Sequence, residues 1–142
     1  MIALIDTNIV LDLLLKREQW LADSQAVWKA CDDGLLQGHL SAVSFTNIFY
    51  LGRRQVGTEM AFSSLHACLE SFEVVEIHRE TITTALKLTG SDFEDNVQIA
   101  SAIEAKVDRI VSRNTRDFTH SPIPVVTPAQ ILAELKSGTS TK

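Results

Sequence analysis

Asp6 directly follows a short apolar run, Ile2–Ile5, and is itself followed by the polar pair Thr7-Asn8. Asp92 and Asp95 stand one helical turn apart in a segment that opens at Ser91, and Asn114 and Asp117 follow a second run, Arg109–Ser112. In an open parallel sheet ligands bind outside the carboxyl ends of the strands, so side chains about a hundred positions apart can meet at one rim. Their chemistry is that of hard oxygen donors, which suit Mg²⁺ or Mn²⁺ in octahedral geometry together with waters and a substrate phosphate. A cation held there lowers the pKa of a bound water and neutralises charge on a phosphodiester during in-line attack. No protein nucleophile beside an obvious base partner is visible.

The elements that must position these groups alternate between strand and helix. Ile2–Ile5 reads as a buried parallel strand. Helical patterns follow over about Ile9–Lys16 and about Leu21–Asp33, the second stopped by Gly34. Gly38–Ser41 is a weak second strand, and Val43–Arg54 is helical and closes at Gly57. Thr58 is read as the cap of a helix carrying Phe62, Leu65, Cys68, Leu69 and Phe72. Val74–Ile77 is a strand candidate, and about Glu80–Leu88 is helical. Ser91 and Glu94 read as a capping box for a helix reaching about Lys106. Arg109–Ser112 and Ile123–Val126 are the last strands, and Thr127-Pro128-Ala129-Gln130 is a second capping box, with Pro at the first helical position. About five strands interleaved with helices predict a three-layer α/β/α domain around a central parallel sheet. Residues 1–136 read as that domain, and Ser137–Lys142 as a small, polar, mobile tail.

Composition bounds the reading. A chain of 142 residues, 45% hydrophobic and 22% charged, is enough for one folded core. The two cysteines, Cys31 and Cys68, form no CxxC pair and read as buried free thiols, and the four histidines lack zinc-ligand spacing. The start lacks the basic region and long apolar stretch of a signal peptide, and the greasiest run, Ile9–Leu15, is interrupted by Asp12. A cytoplasmic protein without a membrane span is expected. The net charge of -5 leaves nucleic-acid binding open, because phosphate contacts depend on local Lys and Arg.

Four segments carry a family resemblance. Asp6-Thr7-Asn8, Ser41–Asn47, Glu94–Ala102 and Ser112–Phe118 resemble, in order and at suitable spacing, the successive motifs of PIN domains. The resemblance implies a PIN-like fold and a Mg²⁺- or Mn²⁺-dependent endoribonuclease, a hydrolase of RNA phosphodiesters. Many bacterial single-domain members are toxins of toxin–antitoxin pairs, often homodimers, neutralised by a small antitoxin. Asp6, Asp95 and Asp117 match the family's metal-site acids, Thr7 and Asn8 the polar pair after the first acid, and Ser112 the small hydroxyl residue of the last motif. Two positions depart: Asn47 stands where Glu is usual and Asn114 where Asp is common. An amide supplies an oxygen but no charge, so these departures imply lower metal affinity, with Asp92 able to restore some charge.

Each candidate has a plainer structural role beside it. Asp6 could cap the following helix, Asp95 could complement the helix dipole, and Asp117 could be turn chemistry. Asp92 reads more as a helix-start charge than as a ligand, and Asn47 as either a site member or a helix-interior amide. Asn8, Ser112, Arg113 and Arg116 are the RNA-binding candidates, the arginines being alternatively solvated loop charges. Arg53 and Arg54 read as phosphate contacts or a helix end, and Trp20 and Trp28 as core or interface. Phe45–Leu51 and Phe62–Phe72 read as core, with a dimer or antitoxin face as the alternative. Three functions compete: the nuclease, a weakened PIN domain that only binds RNA or a protein, and a phosphoryl-transfer fold. The last is disfavoured because Asp6-Thr7-Asn8 lacks the Asp-x-Asp of haloacid-dehalogenase phosphatases and Val74–Ile77 lacks a receiver-type phosphoacceptor Asp.

Overall fold

The computed structural model describes the backbone of residues 1–140 and the side chains through residue 138. Five strands, β1 (Ile2–Ile5), β2 (Gln37–Ser41), β3 (Glu73–Val75), β4 (Arg109–Val111) and β5 (Val125–Val126), form one sheet in the order β3-β2-β1-β4-β5. Every pairing is parallel, with Leu4 opposite both His39 and Ile110. The helices are α1 (Thr7–Leu14), α2 (Glu18–Asp32), α3 (Ala42–Val56), α4 (Thr58–Ser71), α5 (Arg79–Lys87), α6 (Phe93–Ala105) and α7 (Pro128–Ser140), and a 3₁₀ turn spans Thr115–Phe118.

The strands are short and apolar because both faces of the sheet are covered. Ala3 and Ile5 join one core with Leu11, Val27, Ile48, Cys68 and Ile131, drawn from α1, α2, α3, α4 and α7. Leu4, the residue between them, points the other way and packs with Ile99, Ala102, Ile110 and Phe118. A third cluster joins α5 to α6 through Ala85, Val97 and Ala100. Burying a side chain such as Leu4 or Ile5 contributes about 1.5–3 kcal/mol, so these layers outweigh the cost of the few polar groups they enclose. The predicted three-layer architecture is observed.

Several boundaries shift. The cap of α6 is Asp92, not Ser91: its Oδ1 accepts from the backbone N–H of Asp95 at 3.0 Å. Asp caps as well as Ser, and the move of one residue frees Glu94 from the capping role. Gly57 precedes α4, at φ 87°, and Thr58 is its first helical residue. The second capping box is present as read, with Gln130 N–H donating to Thr127 Oγ1 and Thr127 N–H to Gln130 Oε1. The helix it opens continues to Ser140, so four residues assigned to the tail are helical, and Thr141 and Lys142 lie outside the described residues. Among the described residues no helix is long and apolar enough to cross a membrane.

The apolar faces of α3 and α4 divide. Ile48, Cys68 and Phe72 are core, whereas Tyr50, Leu51, Phe62 and Leu69 are exposed. Trp28 packs edge-on against Phe72 and donates to Ser71 Oγ at 2.8 Å. Arg53 lies over the rings of Phe49 and Tyr50 near the end of α3. Both cysteines are free, and burial pushes each thiol up to about 12, which leaves them inert.

Candidate active site

The chain visits β1, β2 and β3 on one side of the sheet before β4 and β5 on the other, so strand order reverses between β1 and β4. That reversal opens a crevice at the carboxyl ends of the two strands. Asp6 and Ser112 are the residues that leave them. Asp6 N–H donates to Val111 O at 3.0 Å, and Ser112 Oγ donates to Asp6 Oδ2 at 2.8 Å. Asp6 also caps α1, its Oδ1 accepting from Asn8 N–H at 3.5 Å and from Gln98 Nε2 at 3.1 Å. Cap and site roles therefore coincide in one side chain. Asp6 is 2% exposed, and burial raises its pKa above the usual carboxylate range against the lowering effect of Ser112 and Gln98.

Helix α6 delivers the second group of acids at its N-terminus. Oxygens of Asp92, Glu94 and Asp95 all lie within 4.8 Å of one another. Burial pushes Asp95 up to about 7, reinforced in turn by the charges of Asp92, Asp6, Glu94 and Asp117. Residues 6, 92, 94, 95 and 117 thus share one electrostatic site, as the strand-end reading required. Asp117, on the 3₁₀ turn, lines a cavity of about 250 Å³ together with Asp92, Asp95 and Arg116.

Two members went unread in the sequence. Glu94, taken for a cap partner, accepts from Thr7 Oγ1 at 2.8 Å, while Thr7 Oγ1 lies 2.7 Å from Ser44 Oγ. With its one proton given to Glu94, Thr7 accepts from Ser44, and a relay runs from α3 through α1 to α6. Gln98 is fully buried and also accepts from Thr7 N–H, at 3.2 Å. Its signal was a polar residue inside the apolar stretch Val97–Ala102, which the helical pattern absorbed.

The remaining candidates divide. Asn114 is half-buried, and its backbone N–H donates to Ser112 Oγ at 3.0 Å, one link from Asp6. Asn47 is half-buried one turn along α3 from Ser44, and no hydrogen bond among the described residues ties it to the acids. Asn8 meets Asp6 through its backbone. Arg116 is exposed beside the acids. Arg113 is placed differently from the phosphate contact considered for it. Its Nε donates to Asp12 Oδ2 at 2.7 Å and its guanidinium stacks 3.8 Å over Trp20. Asp12 is fully buried and also pairs with Arg17 at 3.0 Å. An acid inside an apolar helix demands such partners, and the arginine is taken up by it.

An all-oxygen, clustered and partly buried set of acids, one of them pushed to about 7 by its neighbours, is what a hard divalent cation stabilises. The PIN domain family model matches residues 3–116. The chain belongs to the PIN-domain family.

Solved structures agree on the fold. The chain resembles VapBC2 from Rickettsia felis bound to a DNA fragment from its promoter, with a TM-score of 0.67, 15% identity, and 89% of this chain and 98% of that chain covered. It also resembles a toxin–antitoxin complex from Klebsiella pneumoniae, with a TM-score of 0.65, 21% identity and coverage of 89% and 97%. FitAB bound to an IR36 DNA fragment gives a TM-score of 0.64 at 16% identity, with coverage of 90% and 95%. No curated protein matches the chain significantly in sequence.

Proposed function

We propose that this protein is a metal-dependent endoribonuclease, the toxin component of a cytoplasmic toxin–antitoxin pair. The observation that carries the reading is the convergence of Asp6 and Asp95, from β1 and α6, with Asp92, Glu94 and Asp117 around them. The structural likeness to toxin–antitoxin complexes supports the biological setting, with a small antitoxin as partner and a homodimer as the assembly.

Asp6, Asp95 and Asp117 would hold Mg²⁺ or Mn²⁺, with Asp92 and Glu94 contributing charge. Bound there, the cation supplies an activated water and neutralises the phosphodiester. The protein's own part is positioning. Ser112 and Gln98 fix the two oxygens of Asp6, and Thr7 fixes Glu94. The exposed Arg116 offers a cation to RNA phosphate beside the acids.

A second reading, a PIN domain that binds RNA or protein without cutting, rests on the amides Asn47 and Asn114. Glu94 weighs against it, because it returns a carboxylate to the group that those amides leave short. Incubating the purified protein with an RNA pool and Mn²⁺ or Mg²⁺ tests the choice. Cleavage that disappears in both Asp6→Asn and Asp95→Asn supports the nuclease. RNA binding without cleavage under either metal supports the second reading.

A further inference from the structure

The cavity beside the acids has a wall built from three residues that the metal chemistry does not use. Asn96 is buried, and its Nδ2 donates to the Gly90 carbonyl at 2.9 Å, so Oδ1 is the atom that faces His120 Nε2, also at 2.9 Å. An amide oxygen only accepts, which makes Nε2 the protonated nitrogen and the donor. In the neutral ring Nδ1 therefore keeps its lone pair, and among the described residues it has no hydrogen-bond partner. Gly90 completes the wall, since a Cβ there would run into the imidazole ring and the Asn96 amide. The tautomer and placement of His120 are fixed by construction.

We propose that this cavity takes one nucleobase of an RNA strand, next to the scissile phosphate, and that His120 and Arg116 read its edge. The proposal rests on the nuclease reading above. Donor and acceptor chemistry selects a base over a phosphate. Phosphate oxygens only accept, and they would meet the lone pair of His120 Nδ1 and the carboxylates of Asp92 and Asp117, with Arg116 alone as a match. A base edge carries both kinds of group: its N–H groups suit Nδ1 and the carboxylates, and its ring nitrogens and carbonyls suit Arg116. Unstacked bases of single-stranded RNA present such edges to protein pockets. The cavity of about 250 Å³ is a single-residue pocket, not a groove for a helix.

The test is Mn²⁺-dependent cleavage of short single-stranded RNAs in which the base beside the cut is varied. Wild type is expected to prefer one base by about tenfold, the worth of one or two edge hydrogen bonds. His120→Phe keeps the ring volume but removes Nδ1, and is expected to flatten the preference while Mn²⁺ affinity stays unchanged. Because it also removes the bond to Asn96, Arg116→Gln at an exposed position provides a fold-neutral second variant with the same expectation. A preference unchanged in both variants overturns the proposal, as does a wild type that cuts without regard to that base. A wild type that cuts nothing sinks the nuclease reading instead. Anisotropy of the same RNAs with wild type and His120→Phe then decides base reading on its own, equal affinities counting against it.

Discussion

Gln98 holds Asp6 and Thr7 at once: its Nε2 donates to Asp6 Oδ1 at 3.1 Å and its Oε1 accepts from Thr7 N–H at 3.2 Å. One side chain from α6 thereby orients the acid that leaves β1 and satisfies the first N–H of α1. Replacing it by leucine leaves a buried N–H without a partner, at a cost of about 1–3 kcal/mol. The same change removes an interaction that lowers the pKa of Asp6, so the acid rises further. Gln98→Leu is expected to weaken Mn²⁺ binding by roughly 10–100-fold, the usual effect of losing an outer support of a metal ligand. Urea unfolding and calorimetric titration measure the two effects. Unchanged metal affinity would show that Asp6 is held by Ser112 alone.

Asp95 sets the pH dependence. Burial and then Asp92, Asp6, Glu94 and Asp117 raise it from 3.8 to about 7. Between those values the folded, metal-free protein binds a proton that the unfolded chain has released. Stability is then highest at the acid end of the window for this group, and falls as pH rises through it. A bound cation favours the ionised form, so binding below about 7 releases a proton and Mn²⁺ affinity rises by up to about tenfold per pH unit. Titrations at several pH values check both signs. Asp95→Asn should abolish the dependence, and a pH-independent affinity in wild type would contradict the assignment.

The sheet and the strand-end acids were legible because their signals are local. A short apolar run ending in Asp6, and a helix start rich in acids, each imply a position on the same rim. What escaped was pairing across the chain. Gln98 and Asp12 were visible as polar residues inside apolar runs, Val97–Ala102 and Ile9–Leu15, yet nothing in their spacing names Thr7, Arg17 or Arg113 as partners. Glu94 was hidden by a rule that fitted too well, since Ser91-x-x-Glu94 satisfies the capping-box pattern and Asp92 performs the capping. The fixed ring of His120 depends on Asn96 and Gly90, which meet only once α6 and the segment after the 3₁₀ turn are packed.

Asp12 offers a stability test separate from the metal. It is fully buried, with one oxygen on Arg17 and the other on Arg113. Removing its charge leaves two cations facing an apolar helix, at a cost of about 3 kcal/mol. Arg113 adjoins Ser112 and Asn114, so Asp12→Asn is expected to reduce metal affinity as well as the urea midpoint. A shift of less than about 1 kcal/mol would place this pair with solvent-screened surface bridges.

Asn114 tests how far the site has been depleted of charge. Its backbone is tied to Ser112 Oγ, which itself donates to Asp6, and it precedes the turn that carries Asp117. A carboxylate at this point joins a group of like charges. In the metal-free protein, Asn114→Asp should therefore lower stability near neutral pH and push Asp95 further up. With a divalent cation the sign reverses, because ligand charge raises affinity for hard ions. The expected result is Mn²⁺ binding tighter by about tenfold, alongside a lower melting temperature of the apo-protein. Asn47→Glu, on a residue that no hydrogen bond among the described residues ties to the acids, should give a smaller gain. Weaker Mn²⁺ binding in Asn114→Asp would mean that its side chain does not reach the cation.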